Sequence, residues 1–140
     1  MDIRQLVPKD YSAYFAHFNR KNYPAFFQRY QALSEPFWAQ LTLQETESAA
    51  ETLVEHCGTL LRPFSRKVNL FDLKSLFAFY TVPAALEYGG EAGPAFARQL
   101  MECWNRRYPK FSFSQATHAE LMRGFENTKI LGFNIELKDK

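Results

Sequence analysis

Three histidines, His17, His56 and His118, stand on three stretches of helical spacing. Imidazoles from separate helices can hold zinc or a related ion and leave one coordination position open. That is the most specific chemistry these residue types allow, and the spacing around them argues against it. No Glu stands three residues before any of the three, so the Glu-x-x-His pairs of di-iron bundles are missing. There is no His-Glu-x-x-His. His17 is flanked by aromatic residues, and His56 lies between Glu55 and Cys57. The expectation is therefore no metal and no cofactor, with His17, His56 and His118 as the ligands should one be held.

Other arrangements carry less. His56 beside Cys57 invites a thiol nucleophile, but neighbours on a helix point about 100° apart and cannot form a dyad. Glu47, Glu51 and Glu55 repeat at four-residue spacing. Carboxylates so placed do acid–base work only in a cleft that shifts one pKa, and a solvated helix face is the simpler reading. Gly89, Gly90 and Gly93 follow a helical stretch and not a strand, so they read as a stop and a turn, not a phosphate loop. No catalytic residue is assigned, and the chain reads as a non-enzyme.

Charge falls in blocks. No Lys or Arg occurs between Arg29 and Arg62, and that interval holds Glu35, Glu45, Glu47, Glu51 and Glu55. Two basic groups follow: Arg62, Arg66, Lys67 and Lys74, then Arg98, Arg106, Arg107 and Lys110. Basic residues beside Phe64, Phe111 and Phe113 could meet phosphates while rings stack on bases. The net charge of only +2 argues against a dedicated nucleic-acid binder.

These residues must be held by helices. Aromatic side chains make up 16% of the chain, and one phrase occurs twice: Tyr11, Tyr14, Phe15, Phe18, then Tyr23, Phe26, Phe27, Tyr30. Each set follows i, i+3, i+4, i+7, one face of a helix. Asp10 is the expected N-cap of a helix over about 11–20, and Asn22 with Pro24 opens another over about 23–33. Ser34, Glu35 and Pro36 open a third, carrying Phe37, Trp38 and Leu41. The set Leu43 to Leu61 follows, with or without a turn near Thr42, and Pro63 ends it. Asn69 and Asp72 cap a central helix through Leu73, Phe77 and Tyr80, which Pro83 kinks or restarts and Gly89-Gly90 stops. Gly93-Pro94 begins the next, which Tyr108-Pro109 ends. Ser114 or Thr117 caps a last helix with Leu121, Met122 and Phe125. Leu131, Phe133, Ile135 and Leu137 then alternate with other residues, a strand signal with no partner strand in view. It must lie on the helices, pair with Ile3–Val7, or pair with another chain.

The predicted fold is a single all-α domain over 1–140, a compact bundle of six to seven short helices with an extended C-terminal arm over about 129–140. Its expected core includes Phe15, Phe18, Phe27, Leu53, Leu73, Phe77, Leu100 and Trp104. Two lone cysteines without a Cys-x-x-Cys, no leader-like apolar segment and no run long enough for a membrane span predict a cytoplasmic protein. The expected function is a non-enzymatic protein-interaction or regulatory module, with a homodimer through paired arms as its specific form. The expected contact surface is Arg106, Arg107, Lys110, Phe133 and Ile135. A ligand-binding or metal-dependent pocket among aromatics and histidines is the alternative, and nucleic-acid binding the second.

Overall fold

The computed structural model describes residues 3–15 and 21–114, and the backbone of 129–130 and 135–136. Among the described residues there are five α-helices, where six to seven were expected: α1 Tyr23–Gln40, α2 Thr46–Gly58, α3 Arg66–Leu76, α4 Val82–Tyr88 and α5 Ala92–Arg107. Short 3-10 turns precede and link them, at Ile3–Leu6, Tyr11–Phe15, Leu43–Glu45, Pro63–Ser65 and Pro109–Phe111. The architecture is compact and all-α, with α2 and α4 packed along α5 and the N-terminal turns laid against α1, α2 and α3.

The lower helix number has two physical causes. First, the helices expected over 23–33 and from Ser34 are one. α1 runs straight through Pro36, although an interior proline costs about 3 kcal/mol. The side chains around it offset that loss. Ser34 Oγ donates to the Tyr30 carbonyl at 2.9 Å and accepts from Trp38 Nε1 at 2.7 Å. Continuing the helix also buries Phe37 and Trp38 against Phe96, with ring centroids 5.5 and 5.8 Å away. Burial of such rings is worth about 1.5–3 kcal/mol each. Second, the stretch after Asp10 is a five-residue 3-10 turn, and 16–20 lie outside the described residues. The Asp10 carboxylate does not serve as a cap; it pairs with Arg29 Nη2 at 2.9 Å.

A break does separate α1 from α2, at Leu41–Thr42, where both residues are extended. The central helix begins earlier than expected: Ser65, and not Asn69 or Asp72, is its N-cap residue. α3 passes through a π-helical turn, Phe77–Thr81, directly into α4. Pro83 has no N–H to return to the carbonyl of Phe79 four residues earlier. The Tyr23 hydroxyl donates to that carbonyl instead, at 2.5 Å.

Two glycines turn α4 into α5, for opposite reasons. Gly90 has φ of 59°, a left-handed conformation in open space. Gly93 lies against the backbone of α4, where an added Cβ would stand 1.9 Å from the Ala85 carbonyl oxygen.

The duplicated phrase forms the centre of the molecule, but through its tyrosines. Tyr11, Tyr14 and Tyr30 are buried, whereas Phe15, Tyr23, Phe26 and Phe27 are only half-buried. Tyr80 gathers the rings: Tyr14, Tyr23 and Tyr30 stand 5.1, 5.6 and 5.7 Å from it. Phe15 and Phe27 thus pack at the edge of the core expected to contain them, and Phe18 lies outside the described residues. Leu53, Leu73, Phe77, Leu100 and Trp104 are fully buried.

Lys129–Ile130 and Ile135–Glu136 pair antiparallel with each other, Lys129 opposite Glu136 and Ile130 opposite Ile135. The alternating segment therefore has its partner within the same chain, which removes the unpaired strand on which an arm-paired dimer was premised. The expected last helix, with Leu121, Met122 and Phe125, lies outside the described residues.

Candidate interaction surface

Of the three histidines, His17 and His118 lie outside the described residues. His56 is half-buried near the end of α2, its Nδ1 3.5 Å from Thr59 Oγ1. Among the described residues no group of three or more His, Cys, Asp or Glu is placed to hold a metal. Cys57 is fully buried, and that burial pushes its thiol well above the ordinary range, the reverse of what a nucleophile needs. Cys103 is also buried, its thiol raised by desolvation and partly countered by Arg106, whose Nη2 donates to Sγ at 3.3 Å. Glu47, Glu51 and Glu55 are exposed.

The two basic blocks, some thirty residues apart in sequence, meet in space. The π-helical turn that continues α3 and the turn after α5 are joined through Trp104, whose Nε1 donates to the Phe111 carbonyl at 3.0 Å and whose ring lies 5.6 Å from Phe77. The Asn105 side chain extends the junction by bonding the Phe113 backbone in both directions, at 2.7 and 3.2 Å. These bonds make a groove of about 260 Å³ with Leu70 inside it and Arg66, Arg107 and Lys110 along its sides. Lys74, nearby on α3, is buried; desolvation lowers its pKa, and its ammonium lies 5.6 Å from the centre of the Phe113 ring.

Beside the groove the Pro63–Ser65 turn and α3 together present an apolar stripe to solvent. Phe64 is wholly exposed, at 104% of a free residue, Val68 is 61% exposed and Phe71 41%. Val68 and Phe71 share one face of α3, Phe64 stands on the turn that leads into it, and Arg66 and Lys67 lie between them in sequence. Of the expected contact residues, Arg107 and Lys110 belong to this surface. Arg106 turns to Cys103, Phe133 lies outside the described residues, and Ile135 is in the terminal strand pair. Phe64 was read only as a ring for base stacking, and Val68 and Phe71 were passed over, although a Phe following Pro63 with Val and Phe at helical spacing was visible.

Fold and surface together define a small all-α protein with an exposed basic and aromatic face. Comparison with known proteins adds no relative: no family model, no curated protein and no solved structure matches the chain. No helix among the described residues is long and apolar enough to cross a membrane.

Proposed function

We propose that the chain is a non-enzymatic protein-interaction module whose docking surface is the outer face of α3 with the basic turn after α5. The observation that carries this reading is the exposure of Phe64, Val68 and Phe71 as one stripe among Arg66, Lys67, Arg107 and Lys110. Scattered exposed apolar residues need no explanation, but a contiguous apolar stripe rimmed by charge is what contact surfaces present. Its complement is an apolar surface edged with carboxylates.

The chain carries such a surface itself. Leu43 is 51% exposed, and Glu47 and Glu51 follow it at four-residue spacing. A second copy is therefore the specific partner, docking its α2 face on the α3 face of the first. Such a contact joins unlike surfaces, so it builds chains unless the rotation closes a ring. The two buried free thiols support a reducing, cytoplasmic setting for this assembly.

Sedimentation separates the possibilities. The full chain should associate with rising concentration and dissociate with added salt. A variant with Phe64→Ala and Lys67→Glu should be monomeric, as should one with Glu47→Lys and Glu51→Lys. Mixed, the two still own one intact face each and should form a dimer and nothing larger. A full chain that stays monomeric at high concentration refutes self-docking, and retention on a phosphate column lost with Lys67→Glu would instead favour nucleic acid.

A further inference from the structure

A second feature uses other residues of the same turn and helix. The first 3-10 turns, the Pro63–Ser65 turn and α3 enclose a cleft of about 530 Å³ lined by Lys9, Tyr11, Ser12, Arg62, Asn69 and Asp72. Leu60 and Ser65 complete its wall. The size is that of small-molecule sites, which run about 300–1,000 Å³ with a few convergent polar groups.

Its polar groups are held in place. Asn69 Oδ1 accepts from the Arg62 amide at 3.3 Å and from Ser65 Oγ at 3.1 Å. That fixes which end of the amide is which, and Nδ2 then donates to the Tyr11 hydroxyl at 3.1 Å. Tyr11 thus accepts one bond and keeps its own proton, for which no acceptor stands among the described residues. The ring is buried at 8% exposure, which holds the hydroxyl in place on the cleft wall.

Asp72 is the informative residue. Its carboxyl is half-buried, and burial raises its pKa. No hydrogen bond or ion pair satisfies it among the described residues. Lys9 and Arg62 line the same cleft, yet neither closes an ion pair with it there. Among the described residues the cleft brings together one half-buried carboxylate, two exposed cations and a directed phenol proton, charges of both signs within the span of one small ligand.

We propose that this cleft binds a small zwitterion, one that carries an ammonium group and a carboxylate or phosphate. The ammonium meets Asp72, and the anionic group meets Arg62 and Lys9. The Tyr11 hydroxyl donates to the anionic group or to an adjacent oxygen of the ligand.

The test is an NMR titration of the full chain, with thermal denaturation alongside. The probes are the standard amino acids and phosphoethanolamine at millimolar concentration, with methylamine and acetate as single-charge controls. At least one zwitterion should bind saturably and shift the Tyr11 and Asn69 resonances, with both controls weaker by about tenfold or more. Amino acids against phosphoethanolamine distinguishes a carboxylate from a phosphate. Asp72→Asn should weaken binding by about tenfold or more while keeping the melting temperature. Arg62→Gln should do the same from the other end, and serves if Asp72→Asn fails to fold. Arg66→Glu with Lys67→Glu, on the interaction face, should leave this binding unchanged. The proposal is overturned if no probe saturates, if a single-charge control matches every zwitterion, or if both cleft variants bind as the parent does.

Discussion

Tyr30→Phe deletes one oxygen from the middle of the molecule, and its cost can be worked from two distances. The Tyr30 hydroxyl is fully buried and lies 2.7 Å from the Leu6 carbonyl and 2.7 Å from Thr81 Oγ1. A carbonyl can only accept, so the phenol proton goes to Leu6 and the Thr81 hydroxyl donates to Tyr30. One atom therefore joins the N-terminal turn, α1 and the π-helical turn. Without it the Leu6 carbonyl is stranded, while Thr81 can turn to a carbonyl of its own helix. A stranded buried partner costs about 1–3 kcal/mol, and the lost bond from Thr81 about 1 more. The expected loss is about 2–4 kcal/mol, a large part of the 5–15 kcal/mol that holds a typical domain together. Urea unfolding followed by the fluorescence of Trp38 and Trp104, both buried, measures it. Thr81→Val should cost less, because Tyr30 keeps Leu6, and the double variant should cost less than the sum of the two. A Tyr30→Phe loss below about 0.5 kcal/mol, or strict additivity, would refute this account of the junction.

Other outcomes follow from single sites. Gly93→Ala should destabilise by more than the 1–3 kcal/mol usual for overpacking, because its Cβ meets backbone at 1.9 Å. Gly58→Ala, whose Cβ would meet the movable Arg107 guanidinium at 3.2 Å and the Tyr108 hydroxyl at an ordinary 3.5 Å, should be neutral or slightly stabilising in the same melts. Ser75→Ala should raise stability by about 1 kcal/mol in urea, since Ser75 Oγ is buried with no hydrogen-bond partner among the described residues. Burial pushes the phenols of Tyr23, Tyr30 and Tyr80 far above the ordinary value near 10. The folded chain then holds protons that the unfolded chain gives up, so this stability is intact below about pH 10 and falls as pH rises above it. Absorbance at the phenolate band should show these three ionising only as circular dichroism reports unfolding; ionisation of all seven tyrosines in a native chain would contradict that.

Helical periodicity was enough to read the class of fold, because rings and leucines at i, i+3, i+4 leave few other options. Punctuation misled where tertiary contact outweighed it. Pro36 signals a helix start by every local rule, and it yields to Ser34, Trp38 and Phe96, which come together only in three dimensions. Asn69 looks like a cap and instead reaches back from within the first turns of α3 to Arg62 and Ser65. The two basic blocks were visible as composition, but their meeting around Leu70 depends on how the turn after α5 docks on α3. The repeated aromatic phrase revealed two faces without revealing that its hydroxyls, more than its phenylalanines, would occupy the centre.

The corner between α4 and α5 has a consequence for what chemistry can build here. At Gly93 an L side chain fails because the obstacle is bulk, the Ala85 carbonyl standing where its Cβ would go. At Gly90 there is room for a side chain, and only the mirror sense of the backbone forbids one. Translation offers L residues alone, so the gene has glycine as its only comfortable choice. A chemically ligated chain does not: D-alanine at position 90 fits the observed φ and removes backbone freedom from the unfolded chain, for a gain of about 0.4–1 kcal/mol.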